Sequence, residues 1–93
     1  MAQVTIDEIR LNLGARNRSI PGFLSVDIDP ASGADVIADI SDLSKYDDSS
    51  VSEIYASHCL EHFPHTRTMS VLKEWSRVQK PRGILYVAVP DFA

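Results

Sequence analysis

Residues Ser52–Pro90 read SEIYASHCLEHFPHTRTMSVLKEWSRVQKPRGILYVAVP. Its two ends and its middle carry different hydrophobic periods, and those periods decide the fold. At the C-terminal end, ILYVAVP (Ile84–Pro90) is apolar almost throughout. An unbroken apolar run of that length predicts a strand covered on both faces, as in a parallel sheet. In the middle, Met69, Val71, Leu72, Trp75 and Val78 form the apolar stripe of a helix that Thr66 or Thr68 can cap. Trp75 reads as that helix's core anchor. Lys80-Pro81-Arg82-Gly83 stops it, because proline cannot continue a helix and glycine takes the turn. Lys73, Arg77 and Lys80, at i, i+4 and i+7, read as a solvated face. SEIYAS (Ser52–Ser57) supplies the preceding strand. The unit is strand, helix, strand, and its crossover is expected to be right-handed.

Three further strands lie upstream: IRLNLG (Ile9–Gly14), FLSVDID (Phe23–Asp29) and DVIADI (Asp35–Ile40). The connections between them are short, whereas a parallel crossover usually takes about a dozen residues or more. Either abbreviated turns join these strands, or one pairing is not parallel. A chain of 93 residues makes one domain at most. The expectation is a single α/β domain over residues 1–93, with a mostly parallel sheet of about five strands.

Composition narrows the function classes. A formal net charge of −4 argues against the broad basic surface that nucleic-acid binders use. No apolar run approaches the length of a membrane span. The N-terminal MAQVTIDEIR places charges where a signal peptide needs its apolar stretch. Cys59 is the only cysteine, so no intrachain disulfide forms. The protein reads as cytoplasmic.

One motif points elsewhere. His58-Cys59-Leu60-Glu61-His62 spells H-x-x-E-H, an inverted zinc-peptidase signature. Two histidines at i and i+4 can share a metal on a helix. Pro64 follows too closely for that helix to run on, and after His62 the only glutamate is Glu74. No metal site is expected, and His62 and His65 read as polar residues at a helix end or in a turn.

The strand ends account for the motif better. A glycine follows the first strand in LNLGARNR, an acid the second in SVDIDP, and another acid the third in IADISDL. SEIYASHCLEHF then leads to VLKEWSRVQKPRGILYVAVPDF. This order resembles the class I S-adenosylmethionine-dependent methyltransferases, and within them the type 11-like members that read LNLGSGNRPIPGF, NVDID, ASHVLEHF and VLKPGGILYIAVPDF. The resemblance covers about Ile9 to Phe92. It implies a Rossmann-like methyltransferase fold and S-adenosylmethionine as cofactor, bound beyond the carboxyl ends of the strands. By it, Gly14 would let backbone approach the methionine part of the cofactor, with Ala15 and Arg16 in the same loop. Asp27 would accept from the ribose hydroxyls and Asp39 from the adenine amino group, while Ile40 would offer its backbone N–H to the ring. Ser57 and His58 would border the methyl group. Methyl transfer from a sulfonium is an in-line displacement in which alignment does most of the work. His58 is the candidate base where the acceptor, unidentified by the sequence, must lose a proton.

The sequence departs from the family at three places. The usual Gly-x-Gly loop is here Gly14-Ala15-Arg16, and Arg16 either obstructs the methionine moiety or pairs with its carboxylate. KPGG is here Lys80-Pro81-Arg82-Gly83. The family's N-terminal helix and last strands have no counterpart, the sequence stopping at Asp91-Phe92-Ala93. The expected fold is therefore an abbreviated one. Its function is methyl transfer or, alternatively, that of a non-catalytic remnant serving as a dimerising or partner-binding module. Ile84–Val89 would then be an apolar edge strand, through which a homodimer or a pairing with another chain is expected.

Overall fold

A computed structural model describes residues 8–15, 18–57, 59 and 63–88. Five strands make one sheet: β1 (Ile9–Leu13), β2 (Leu24–Asp27), β3 (Val36–Ile37), β4 (Val51–Ser57) and β5 (Gln79–Ala88). Their order is β3-β2-β1-β4-β5, and each of the four pairings is parallel. The α/β class with a parallel Rossmann-like sheet is therefore as expected, and abbreviated turns resolve the problem of the short connections. Between β1 and β2, Arg18 N–H donates to the Ala15 carbonyl and Phe23 N–H to that of Ile20. Between β2 and β3, the Asp29 carboxylate caps a single 3-10 turn at Pro30–Ser32.

Helix α1 (His65–Val78) covers one face of the sheet. Val71, Trp75 and Val78 from α1 join Leu11, Leu13, Val26, Ile54 and Ala56 in one buried cluster. Strand alternation sends Asn12, Ser25, Asp27, Tyr55 and Ser57 to the opposite face. Trp75 is the core anchor the sequence suggested, fully buried.

Other expectations need correction. Met69 is 63% exposed and stands outside the core stripe. At 3.6 residues per turn it lies about 160° around the helix from Val71. Neither threonine caps α1. Pro64 precedes it with no side-chain cap, and Thr68 Oγ1 donates back to the Pro64 carbonyl. Lys80 falls beyond α1, and Arg77 is no solvated charge: it bonds Glu74, Asp48 and the carbonyls of Leu43 and Tyr46. The third strand shrinks to two residues because turns close on it from both sides. Asp35 turns back to bond Ser25, and Asp42 N–H donates to the Asp39 carbonyl.

The helix stops before Lys80-Pro81-Arg82-Gly83 as expected, but these residues form no separate turn and lie inside β5. Val51 pairs Gln79 and Glu53 pairs Ile84, so Ser52 alone faces those four residues as a bulge. A Cβ on Gly83 would stand 2.6 Å from Gln79 Cγ and 2.9 Å from the Ser52 carbonyl, which explains the one glycine kept there. Nor is β5 covered on both faces. It is the last strand of the sheet among the described residues, with Ile84, Leu85, Tyr86 and Val87 38–48% exposed.

Candidate functional site

The direction of strand succession reverses between β1 and β4, since β2 and β3 lie to one side of β1 while β4 and β5 lie to the other. In open α/β sheets ligands bind outside the carboxyl ends of the strands at such a switch point. A cavity of about 350 Å³ opens there. It is lined by residues 12–15 from the end of β1, by Tyr55 and Ser57 of β4, and by Arg18, Ser19 and Ile20 from the connection that follows β1. Small-molecule pockets span roughly 300–1,000 Å³, so the volume suits a compact organic ligand.

Of the residues singled out in the sequence, Gly14, Ala15 and Ser57 line this cavity. Gly14 has a φ of 65°, in the left-handed region, and a Cβ there would stand 2.9 Å from Cys59 Cβ. The fold alone therefore demands a glycine at this position. The amides of Gly14 and Ala15 both donate to the Val26 carbonyl, at 2.8 and 3.3 Å. These bonds hold the start of the loop against β2, beside Asp27. That residue is 8% exposed, and its Oδ1 accepts from Asp29 N–H at 2.9 Å.

Asp39 and Ile40 lie beyond β3. Oδ1 of Asp39 accepts from the Ser41 hydroxyl at 2.7 Å and the Ser41 amide at 2.9 Å. Those bonds, with the more distant Arg67 charge, hold its carboxyl below the usual range, partial burial opposing them. The Ile40 carbonyl accepts from Trp75 Nε1 at 2.8 Å. Asp27, Asp39 and Ile40 do not line the cavity, although Ile40 Cδ1 comes within 4.0 Å of the point a Gly14 Cβ would occupy. Arg16 and His58 lie outside the described residues, as does the rest of the H-x-x-E-H motif except Cys59. Among the described residues no group of three or more His, Cys, Asp or Glu is placed to hold a metal.

Six lining residues escaped the sequence reading: Asn12, Leu13, Arg18, Ser19, Ile20 and Tyr55. Asn12 left a trace, as a polar residue in the middle of a strand of a parallel sheet. It is 3% exposed and donates weakly to the Arg18 carbonyl at 3.4 Å. Nothing local marks Arg18.

The parallel sheet, the switch-point crevice and a glycine turn at the end of β1 define a Rossmann-like methyltransferase fold of short length. Residues 14–87 match a family model described as a methyltransferase domain, and the chain belongs to that family, one of the class I S-adenosylmethionine-dependent methyltransferases. No curated protein and no solved structure matches the chain. No helix among the described residues is long and apolar enough to cross a membrane.

Proposed function

We propose that this domain binds S-adenosylmethionine across the carboxyl ends of β1, β2 and β3 and supports methyl transfer to an acceptor. The observation that carries the reading is the switch-point cavity beside Gly14, with the shielded Asp27 carboxylate at the end of the next strand. Membership of a methyltransferase family supports it. When bound, the sulfonium supplies an electrophilic methyl group. The chain's own part is to grip and align. Gly14, Ala15 and Ser57 would border the methionine portion, and Arg18 offers its carboxylate a charge-assisted partner within the same lining. Asp27 would take the ribose hydroxyls, while Asp39 and the Ile40 amide would take the base. His58 would serve as base where the acceptor must lose a proton. The setting proposed with this reading is the cytoplasm.

Calorimetric titration with S-adenosylhomocysteine tests this. Binding is expected in the wild type, with a rise in melting temperature that Asp27→Ala abolishes. A flat titration at millimolar ligand would sink the proposal.

A second reading rests on β5. Its exposed apolar side chains and its place at the sheet edge among the described residues suit a non-catalytic module that pairs with a second copy. The two readings are compatible, and a flat titration from a dimeric protein would leave only the second.

A further inference from the structure

Two side chains of α1 converge on the short segment that carries Asp39. Arg67 Nη2 donates to the Ser41 hydroxyl at 3.1 Å, and that hydroxyl donates to Asp39 Oδ1 at 2.7 Å. Trp75 Nε1 donates to the Ile40 carbonyl at 2.8 Å. The Ile40 carbonyl and the Ser41 amide belong to one peptide group, and the amide donates to the same Oδ1 at 2.9 Å. One flank of that peptide is therefore held by the buried indole while the other grips the carboxylate. Arg67 is itself placed, its guanidinium lying 5.4 Å from the centre of the Phe63 ring.

We infer that Arg67, Ser41 and Trp75 are positioning residues that set base selectivity: they fix the Asp39 carboxylate with Oδ1 engaged and Oδ2 turned to a ligand's N–H donor. The inference rests on the proposed S-adenosylmethionine site, within which it assigns the source of discrimination. An ionised carboxylate accepts only, so a fixed Oδ2 favours a base with an exocyclic amino group and opposes one with a carbonyl there. A freely rotating Asp39 would discriminate less, because it could turn away from the mismatched oxygen. The Ser41 hydroxyl and amide chiefly hold the Asp39 carboxyl below its usual range, and the Arg67 charge adds a smaller effect in the same direction. Ser41 and Arg67 lie toward the surface, so altering them spares the core.

The test compares S-adenosylhomocysteine with its 6-oxo analogue, in which hypoxanthine replaces adenine, by calorimetry on the full chain. Wild type is expected to prefer adenine by about tenfold, the scale of one hydrogen bond to a charged group. Ser41→Ala and Arg67→Gln should each weaken the adenine ligand about fivefold and change the 6-oxo analogue less than about twofold. Ser41→Thr, which keeps the hydroxyl, should restore the preference. A parallel NMR titration of the Asp39 carboxyl needs no ligand: its pKa should rise toward the usual carboxylate range in Ser41→Ala. Equal weakening of both ligands, or an unchanged preference, overturns the inference while leaving the cofactor site standing. Failure of wild type to bind either ligand overturns the cofactor site, and the selectivity claim with it.

Discussion

Replacing Gly14 with alanine separates what the fold requires of the β1 loop from what a ligand requires. Two costs act at once. At a φ of 65° a side-chain-bearing residue pays the left-handed penalty, about 1–2 kcal/mol. The new methyl would also stand 2.9 Å from Cys59 Cβ, well inside the roughly 3.5–4.0 Å at which carbon atoms pack. Relieving such an overlap costs about 1–3 kcal/mol in a packed interior. Alanine's lower unfolded-state entropy offsets a little, about 0.4–1 kcal/mol. The net expectation is a loss of about 2–4 kcal/mol, a large share of the ~5–15 kcal/mol that holds a domain together. Urea denaturation followed by circular dichroism measures it, and the slope with denaturant should not change.

The contact with Cys59 can be isolated by a double-mutant cycle with Cys59→Gly, which removes the opposing Cβ. The pair should show a coupling of about 1 kcal/mol or more, with the double variant more stable than the sum of the single effects predicts. A Gly14→Ala loss below about 0.5 kcal/mol, or strict additivity with Cys59→Gly, would refute the geometry argued here. The outcome also governs how ligand data are read. If stability falls as expected, weaker S-adenosylhomocysteine binding by Gly14→Ala is informative only where the variant remains folded.

Other expectations follow from single sites. Gly83→Ala should lower the urea midpoint, because its Cβ would meet the Ser52 backbone carbonyl at 2.9 Å and a carbonyl in the sheet cannot easily give way. Arg18→Gln should weaken S-adenosylhomocysteine by about 1.5–3 kcal/mol and leave adenosine, which lacks the carboxylate, unchanged in calorimetry. Glu74 is held below the usual carboxylate range chiefly by its Arg77 hydrogen bonds, against partial burial, with the Leu43 amide adding to the shift. A depressed folded-state pKa stabilises above the unfolded value and is lost as pH falls through the folded one, so acid should destabilise the protein and Glu74→Gln should flatten that fall in melting temperature. Val87→Lys should convert a wild-type dimer to monomer or insoluble protein in sedimentation. A stable wild-type monomer at high micromolar concentration rules that pairing out.

The parts of the fold legible in the sequence are those that neighbouring residues decide. The apolar run that begins at Ile84 announced the strand described to Ala88; Val71, Trp75 and Val78 announced a helix by their spacing, and Gly14 and Asp27 the strand ends by their chemistry. The parts that were not legible depend on partners far along the chain. Arg77 sits at i+4 from an exposed lysine and looks locally like a solvated charge. It instead binds Asp48, Tyr46 and Leu43, between 29 and 34 residues away. Met69 joins the stripe only by being apolar, since at 3.6 residues per turn it lies about 160° from Val71, and it stands exposed. The same distinction holds at the candidate site. Asp39 was found as an acid after a strand, but what orients its carboxylate comes from α1, through Arg67 26 residues from Ser41 and Trp75 35 residues from Ile40. The ordered resemblance to a family can therefore nominate groups that would touch a cofactor, because it marks residues where strands end. It cannot nominate the residues that aim those groups, because the aiming is done across the fold.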